Sequence, residues 1–244
     1  MEGVPLAARF SLATNRLRFC GPEEAEPLLY RAITEGRDLE AAGAALLEFE
    51  ALAPYLEAIA EKHGRSPLDP EVVEAYWIGN RLLDDFTRED VRAILRTLVR
   101  RGLAPGAARK LEEHLPDRAI PHHAFHVTYV GVGMVTGKVE TTLDNMDRCR
   151  PSWAHVRSVG PSHLAVERPR LELVDDRLVI GEAQRREVAY HPAIVPAVRA
   201  GDAIAMHWDW PVMVLSGNQL DGLREYTARS LAGSNEALAR LGVL

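Results

Sequence analysis

Apolar residues recur at helical spacing through the first half of the chain and give way to alternation and short β-branched runs in the second. Residues 1–19 mix apolar and basic positions, the pattern of a short helix or an ordered arm. Gly21-Pro22-Glu23-Glu24 reads as a helix start, since proline suits the first helical position and glutamates complement the positive end of the helix dipole. Leu28, Leu29 and Ile33 supply its buried stripe and Gly36 stops it. A long helix is expected over 38–63, with Leu39, Leu46, Leu47, Phe49, Leu52, Leu56 and Ile59 inward. Pro54 should kink or split it, because it removes a backbone donor and clashes one turn back. Asp69-Pro70-Glu71 opens another helix through Val72, Tyr76, Trp77 and Leu83, and Asn80 beside Gly79 is unusually polar for that face. Thr87 and Asp90 have capping-box spacing ahead of Leu95, Leu98 and Val99, and a last short helix is expected over 104–115.

From Ile120 the chain becomes β-branched. Residues 125–135 read as a strand in which Gly131 and Gly133 mark a bulge or a close approach, with 139–143 as its partner. Further strands are expected at 153–159, 163–168, 170–174, 177–181, 184–190 and 203–208, with Asp175-Asp176 as a hairpin turn. Strands this short and closely spaced usually close into a small barrel. A final helix begins near Ser216, with Gly233-Ser234-Asn235 as a break before a last turn at 236–241. The expected class is α+β: a helical domain over 1–118, then a small OB-like antiparallel β-barrel with a C-terminal helix over 119–244.

Composition adds limits. A chain of 244 residues that is 47% hydrophobic and 26% charged can bury a real core. Its net charge of −6 offers nothing to nucleic acid or an anionic membrane surface, and no apolar run reaches membrane-spanning length. Without a basic leader and with two cysteines, the chain reads as cytoplasmic with reduced thiols. Oligomeric state is not legible.

Candidate chemistry gathers in three places. Cys149 precedes an alternating stretch, Trp153 to Ser158, and some fifty residues later a short apolar strand ends in His207. A soft thiolate and an imidazole beside strands of one small β-domain are suited to a common metal or reactive ligand, against the simpler alternative of a buried thiol and a hydrogen-bonded ring. Cys20 sits before a helix start, a place that lowers thiol pKa. Pro121-His122-His123-Ala124-Phe125-His126 holds three of the nine histidines. On a strand, His122 and His126 would lie about 13 Å apart, too far for one metal, whereas a turn at 121–124 would relieve that limit. The alternative for this cluster is a structural role at the domain seam. The chain lacks HExxH, a phosphate-binding GxxxxGK[ST] loop, GxSxG and CxxC.

The stretch CRPSWAHVRSV from Cys149, the run Arg185-Arg186-Glu187-Val188, and Gly201-Asp202-Ala203-Ile204-Ala205-Met206-His207 followed by a helix occur in one order. In that order the C-terminal half resembles the small [NiFe]-hydrogenase maturation chaperones of the HypC/HupF family. The resemblance covers about a third of the chain. It implies that Cys149 helps carry an iron centre bearing carbonyl and cyanide ligands, and that His207 is the second hallmark residue. It also implies a protein partner in a hydrogenase assembly pathway. Here the cysteine is internal, residues 169–182 form an extra hairpin, and Trp208-Asp209-Trp210 follows the histidine. The whole chain resembles an uncharacterised bacterial family that adds a helical domain to such a barrel. The expected function is therefore that of an accessory protein of metallocentre assembly. The alternative is a metal-dependent enzyme, with non-haem iron or, less favoured, zinc. Its site would lie between helical half and barrel, with ligands among His122, His123 and His126 and with Cys20 or Cys149 as nucleophile.

Overall fold

A computed structural model of the protein describes residues 3–241. The helical half comprises α1 (Gly3–Arg16), α2 (Ala25–Thr34), α3 (Leu39–Leu46), α4 (Leu52–His63), α5 (Pro70–Trp77), α6 (Arg88–Arg100) and α7 (Pro105–His114). Two of these starts follow the expected chemistry. The Asp69 side chain accepts from the Glu71 N–H at the head of α5, and Thr87 and Asp90 form a reciprocal capping box at the head of α6. The long helix expected over 38–63 is two helices. The break falls at 47–51, so that Pro54 occupies the first turn of α4, where its missing N–H costs little. α5 stops at Trp77 rather than continuing to Leu83. Gly79 adopts φ +97°, and a Cβ there would lie 2.4 Å from the Tyr226 ring. Asn80 caps a following 3-10 turn and donates to the Glu71 carbonyl, which accounts for its polarity.

The second half begins differently from expectation. Residues 125–135 form no strand. A short α8 (His123–Phe125) runs into a π-helical turn, His126–Gly131, and 139–143 leads into α9 (Leu143–Cys149) instead of pairing. The valines here bury their side chains on a helical turn, which overrides their β preference. Gly133 does mark a close approach: it has φ +75°, and a Cβ would lie 1.9 Å from the Val139 carbonyl oxygen.

The sheet contains β1 (Ser152–Val159), β2 (His163–Val174), β3 (Arg177–Ala189), β4 (Ala203–His207) and β5 (Trp210–Val214), all antiparallel, in the order β3-β2-β1-β4-β5. The class is α+β as expected, but the sheet remains open and does not close into a barrel. The four segments expected between 163 and 190 are two long strands joined at Asp175-Asp176, with one register shift between Pro169 and Leu171. Strand β5 was not anticipated. The last helix, α10 (Gly217–Leu241), passes through Gly233-Ser234-Asn235 without a break. No helix among the described residues is long and apolar enough to cross a membrane.

One apolar cluster runs through both halves and includes Leu6 and Phe10 of α1, Tyr76 of α5, Val156 of β1, Met206 of β4 and Leu223 of α10. A buried polar network fastens α9 to the sheet. The Asp147 carboxylate accepts from Arg150 Nη2 at 2.9 Å, Arg168 Nη1 at 2.7 Å and the Leu171 N–H at 2.7 Å. All three side chains are at most 1% exposed. Burial alone would raise the Asp147 pKa, but the guanidinium groups of Arg168 and Arg150 overcome it and hold the carboxyl below its ordinary range. Because two buried cations lean on one carboxylate, Asp147→Ala should cost about 3–5 kcal/mol, read as a lowered urea midpoint. A loss under about 1 kcal/mol would mean that the network does not fasten α9.

Candidate functional site

Three donors from three elements meet where the helical half covers the sheet. His123 opens α8, Cys149 ends α9 and His207 ends β4. One ligand atom from each lies within 4.8 Å of the others. With bonds of about 2.0–2.3 Å, tetrahedral coordination separates nitrogen and sulfur donors by about 3.3–3.8 Å. His123 Nε2 and Cys149 Sγ already stand 3.7 Å apart.

Each imidazole is oriented through its other nitrogen. His207 Nδ1 donates to the Phe10 carbonyl of α1 at 2.6 Å, which leaves Nε2 unprotonated. That Nε2 is buried and without a hydrogen-bond partner. The Tyr76 hydroxyl of α5 engages His123 Nδ1 at 2.7 Å and leaves Nε2 to the sulfur. Such outer partners aim the rings, as they do for metal-ligating histidines, and the Phe10 carbonyl also fixes the His207 tautomer. Trp77 packs against both, its ring centroid 4.4 Å from His123 and 5.1 Å from His207.

The hairpin that carries His207 is held under strain. Trp208 and Asp209, at φ +52° and +62°, form the two-residue turn between β4 and β5, a conformation that normally selects glycine or asparagine. The turn is anchored on α9. The Trp208 N–H donates to the Arg148 carbonyl at 2.6 Å, Arg148 Nε donates to Asp209 at 2.7 Å, and the Trp208 ring is buried against Phe19. Cys149 and His207 are thus tied to each other through their chain neighbours.

Burial governs the electrostatics. It lowers the His207 pKa to about 4, outweighing the opposing carbonyl of Phe10 and the nearby backbone of Cys149, which makes no hydrogen bond to Nε2. It also drives His123 well below its ordinary value, helped by the neighbouring His207 and His126, and pushes the Cys149 thiol well up. The metal-free rings are therefore neutral, the form that ligates, whereas the thiol must lose its proton to do so.

The remaining candidates separate. His126 stacks on His123 at 5.9 Å, but its Nδ1 is taken by the Tyr55 hydroxyl at 3.0 Å; burial lowers its pKa to about 4. His122 lies apart from the donor cluster. Its Nδ1 accepts from the Ala124 N–H and faces Ser230, and burial lowers its pKa to about 3. Cys20 is not one of the three close donors, yet it lines both small cavities that flank His123 and Cys149. It lies five residues before α2, and burial raises its thiol pKa to about 11, opposite to the expected lowering. The sequence pointed to Cys149 with His207 and to the histidine cluster, and placed either the histidines or Cys20 as the further group of a seam site, without singling out His123. Tyr76 and Trp77 read only as core aromatics. The available signal was the three-residue spacing of His123 and His126, which on a helix stacks the rings.

The fold and site define an α+β protein in which one half-buried thiol and two buried imidazoles converge at the junction of helices and sheet. The chain belongs to a family of unknown function, DUF6390, whose model matches residues 1–241. No curated protein and no solved structure matches it.

The depressed pKa values set an acid limit on the metal-free fold. The unfolded histidines bind protons below about pH 6.5, while the folded rings of His122, His126 and His207 stay neutral down to about 3, 4 and 4. Stability should be complete above pH 6.5 and fall as pH drops towards 4, seen as a declining urea midpoint. Imidazole NMR shifts of these three residues should stay flat between pH 5.5 and 8. A midpoint near 6.5 in any of them would contradict the burial argument.

Proposed function

We propose that the protein holds a thiophilic transition-metal ion through His123, Cys149 and His207. We further propose that it serves metallocentre assembly, with iron as cargo. The observation that supports metal binding most is the orphaned His207 Nε2, buried and within 4.8 Å of a thiol and a second imidazole. A buried polar atom without a partner costs about 1–3 kcal/mol, and a metal ion would satisfy all three donors at once. One soft sulfur and two borderline nitrogens suit iron, copper or zinc over calcium or magnesium. Assembly and iron rest on the resemblance of the Cys149 and His207 motifs to the HypC/HupF chaperones, and a hydrogenase-pathway protein is the partner that resemblance suggests.

The alternative, a metal-dependent enzyme, has less support. Each cavity beside the donors measures about 30 Å3, roughly the share of one water in the liquid, so an organic substrate has no room. Half-buried Cys149 and Cys20 border both cavities, and a metal or small ligand would pass beside them.

Purified anaerobically, the full chain should take up one iron(II) per molecule. Cys149→Ser and His207→Ala should each weaken uptake at least tenfold while keeping the far-ultraviolet dichroism, whereas His122→Ala should bind as the wild type does. Because the thiol gives up its proton on binding, affinity should rise about tenfold per pH unit between pH 6 and 8. Equal uptake by wild type and Cys149→Ser, or an affinity independent of pH, would exclude Cys149 as a ligand.

A further inference from the structure

The two edges of the open sheet differ. β5 is five residues long, contains Pro211 and packs against α1, which guards that edge. β3, at the other edge, is 13 residues long, and no strand pairs with its outer side among the described residues. The fold covers it near both ends. Near the start, the Asn235 side chain of α10 donates to the Leu178 carbonyl at 2.9 Å and accepts from its N–H at 2.8 Å, standing in for a neighbouring strand. Past the end, Tyr190 lines a cavity together with Trp210 and Pro211 of β5. Between these covers Glu182, Ala183, Gln184 and Arg185 are exposed in succession, so neither face of the strand is buried there.

Strand β2 fixes which backbone groups point outward. Leu171 and Pro169 lie opposite Ile180 and Ala183. The Leu171 N–H turns away from β3 to Asp147, and the Pro169 carbonyl turns away to Arg150. In an antiparallel ladder the residue opposite such a group also turns its N–H and C=O away from the pair. Ala183 therefore presents both groups outward, and alternation does the same for Arg185 and Glu187. Such an unpaired edge is a template for another strand, and 181–187 contains neither proline nor lysine to guard it.

Charge selects the strand that fits. A second copy of this chain would meet the edge about a two-fold axis, antiparallel to itself. With the axis at Gln184, Glu182 faces Arg186 of the second copy and Arg186 faces its Glu182. Ala183 and Arg185 then exchange backbone hydrogen bonds across the axis. An axis at Arg185 or Arg186 sets two guanidinium groups against each other, and one at Glu182 or Glu187 sets two carboxylates; both arrangements are unfavourable. An axis at Ala183 brings no opposite charges together. Neither Glu182 nor Arg186 makes an ion pair among the described residues, so both charges are available.

We infer that the protein forms a two-fold homodimer in which β3 pairs edge to edge with β3 of a second copy across Gln184, joining two five-stranded sheets into one. Strands β2 and β1 separate this edge from β4, so the His207 site stays clear of the interface and the inference does not depend on a metal.

The test is sedimentation of the full chain from low micromolar to near-millimolar concentration, with far-ultraviolet dichroism as the check on folding. The wild type should pass reversibly from monomer to dimer. Glu182→Arg and Arg186→Glu should each weaken association at least tenfold, and the double reversal should restore it. Ala183→Pro removes only an outward N–H and should abolish dimers. Gln184→Cys should cross-link under mild oxidation by glutathione disulfide, above the wild-type background, because facing residues on such an axis lie about 4.5 Å apart. A wild type that stays monomeric throughout, with no cross-link, overturns the inference. So does a dimer that survives the single charge reversals and Ala183→Pro, since it must use another surface. Weakening by the single reversals without recovery in the double variant overturns the register at Gln184.

Discussion

A buried imidazole nitrogen without a hydrogen-bond partner among the described residues lies at the centre of this molecule. His207 Nδ1 is committed to the Phe10 carbonyl, so the remaining Nε2 can only accept, and nothing among the described residues donates to it. The same hydrogen bond ties the end of β4 to α1 and so fixes how the helical half lies on the sheet. His123 is likewise held through its Nδ1, by the Tyr76 hydroxyl of α5. Both outer partners come from the helices, while Cys149 and His207 come from the sheet side. Neither half alone presents an oriented site. That agrees with the large apolar cluster running through both.

The cost of this arrangement appears elsewhere in the chain. Two non-glycine residues in left-handed conformation, Trp208 and Asp209, follow His207, and each is of a kind that costs roughly 1–3 kcal/mol unless its surroundings compel it. The compulsion comes from α9, through Arg148. That helix is held in turn by Asp147 against Arg150, Arg168 and the register shift in β2. The ionic network lies within two residues of Cys149 and gives its sulfur one direction. Well-packed apolar residues would stabilise such a place as well or better, so the choice of buried charge points to positional specificity.

Much of the helical half was legible because its signals are local. The Asp69 cap, the Thr87 capping box and the apolar stripes depend on residues within one turn of each other. The α+β class followed from the change in composition at Ile120. Between 123 and 149 the reading failed for one physical reason. Val127, Thr128 and Val130 have strand propensity, but tertiary burial against α10 and α9 winds them into a π-helical turn. Treating that segment as a strand separated the histidines and hid which of them joins Cys149 and His207. The sheet was foreseen as closed because strand count and spacing do not encode the register at its edges. Cys20 shows a similar limit, since its position suggested an activated thiol while its burial, a property of the whole fold, raises its pKa.

X-ray absorption at the metal edge tests the central claim most directly, because it counts donor types around the ion without depending on affinity or activity. The full chain loaded with one equivalent of iron(II) or zinc should show one sulfur and at least two imidazole nitrogens. For zinc the distances should be about 2.3 Å and 2.0–2.1 Å respectively. A first shell of oxygen and nitrogen alone, unchanged in Cys149→Ser, would contradict the account.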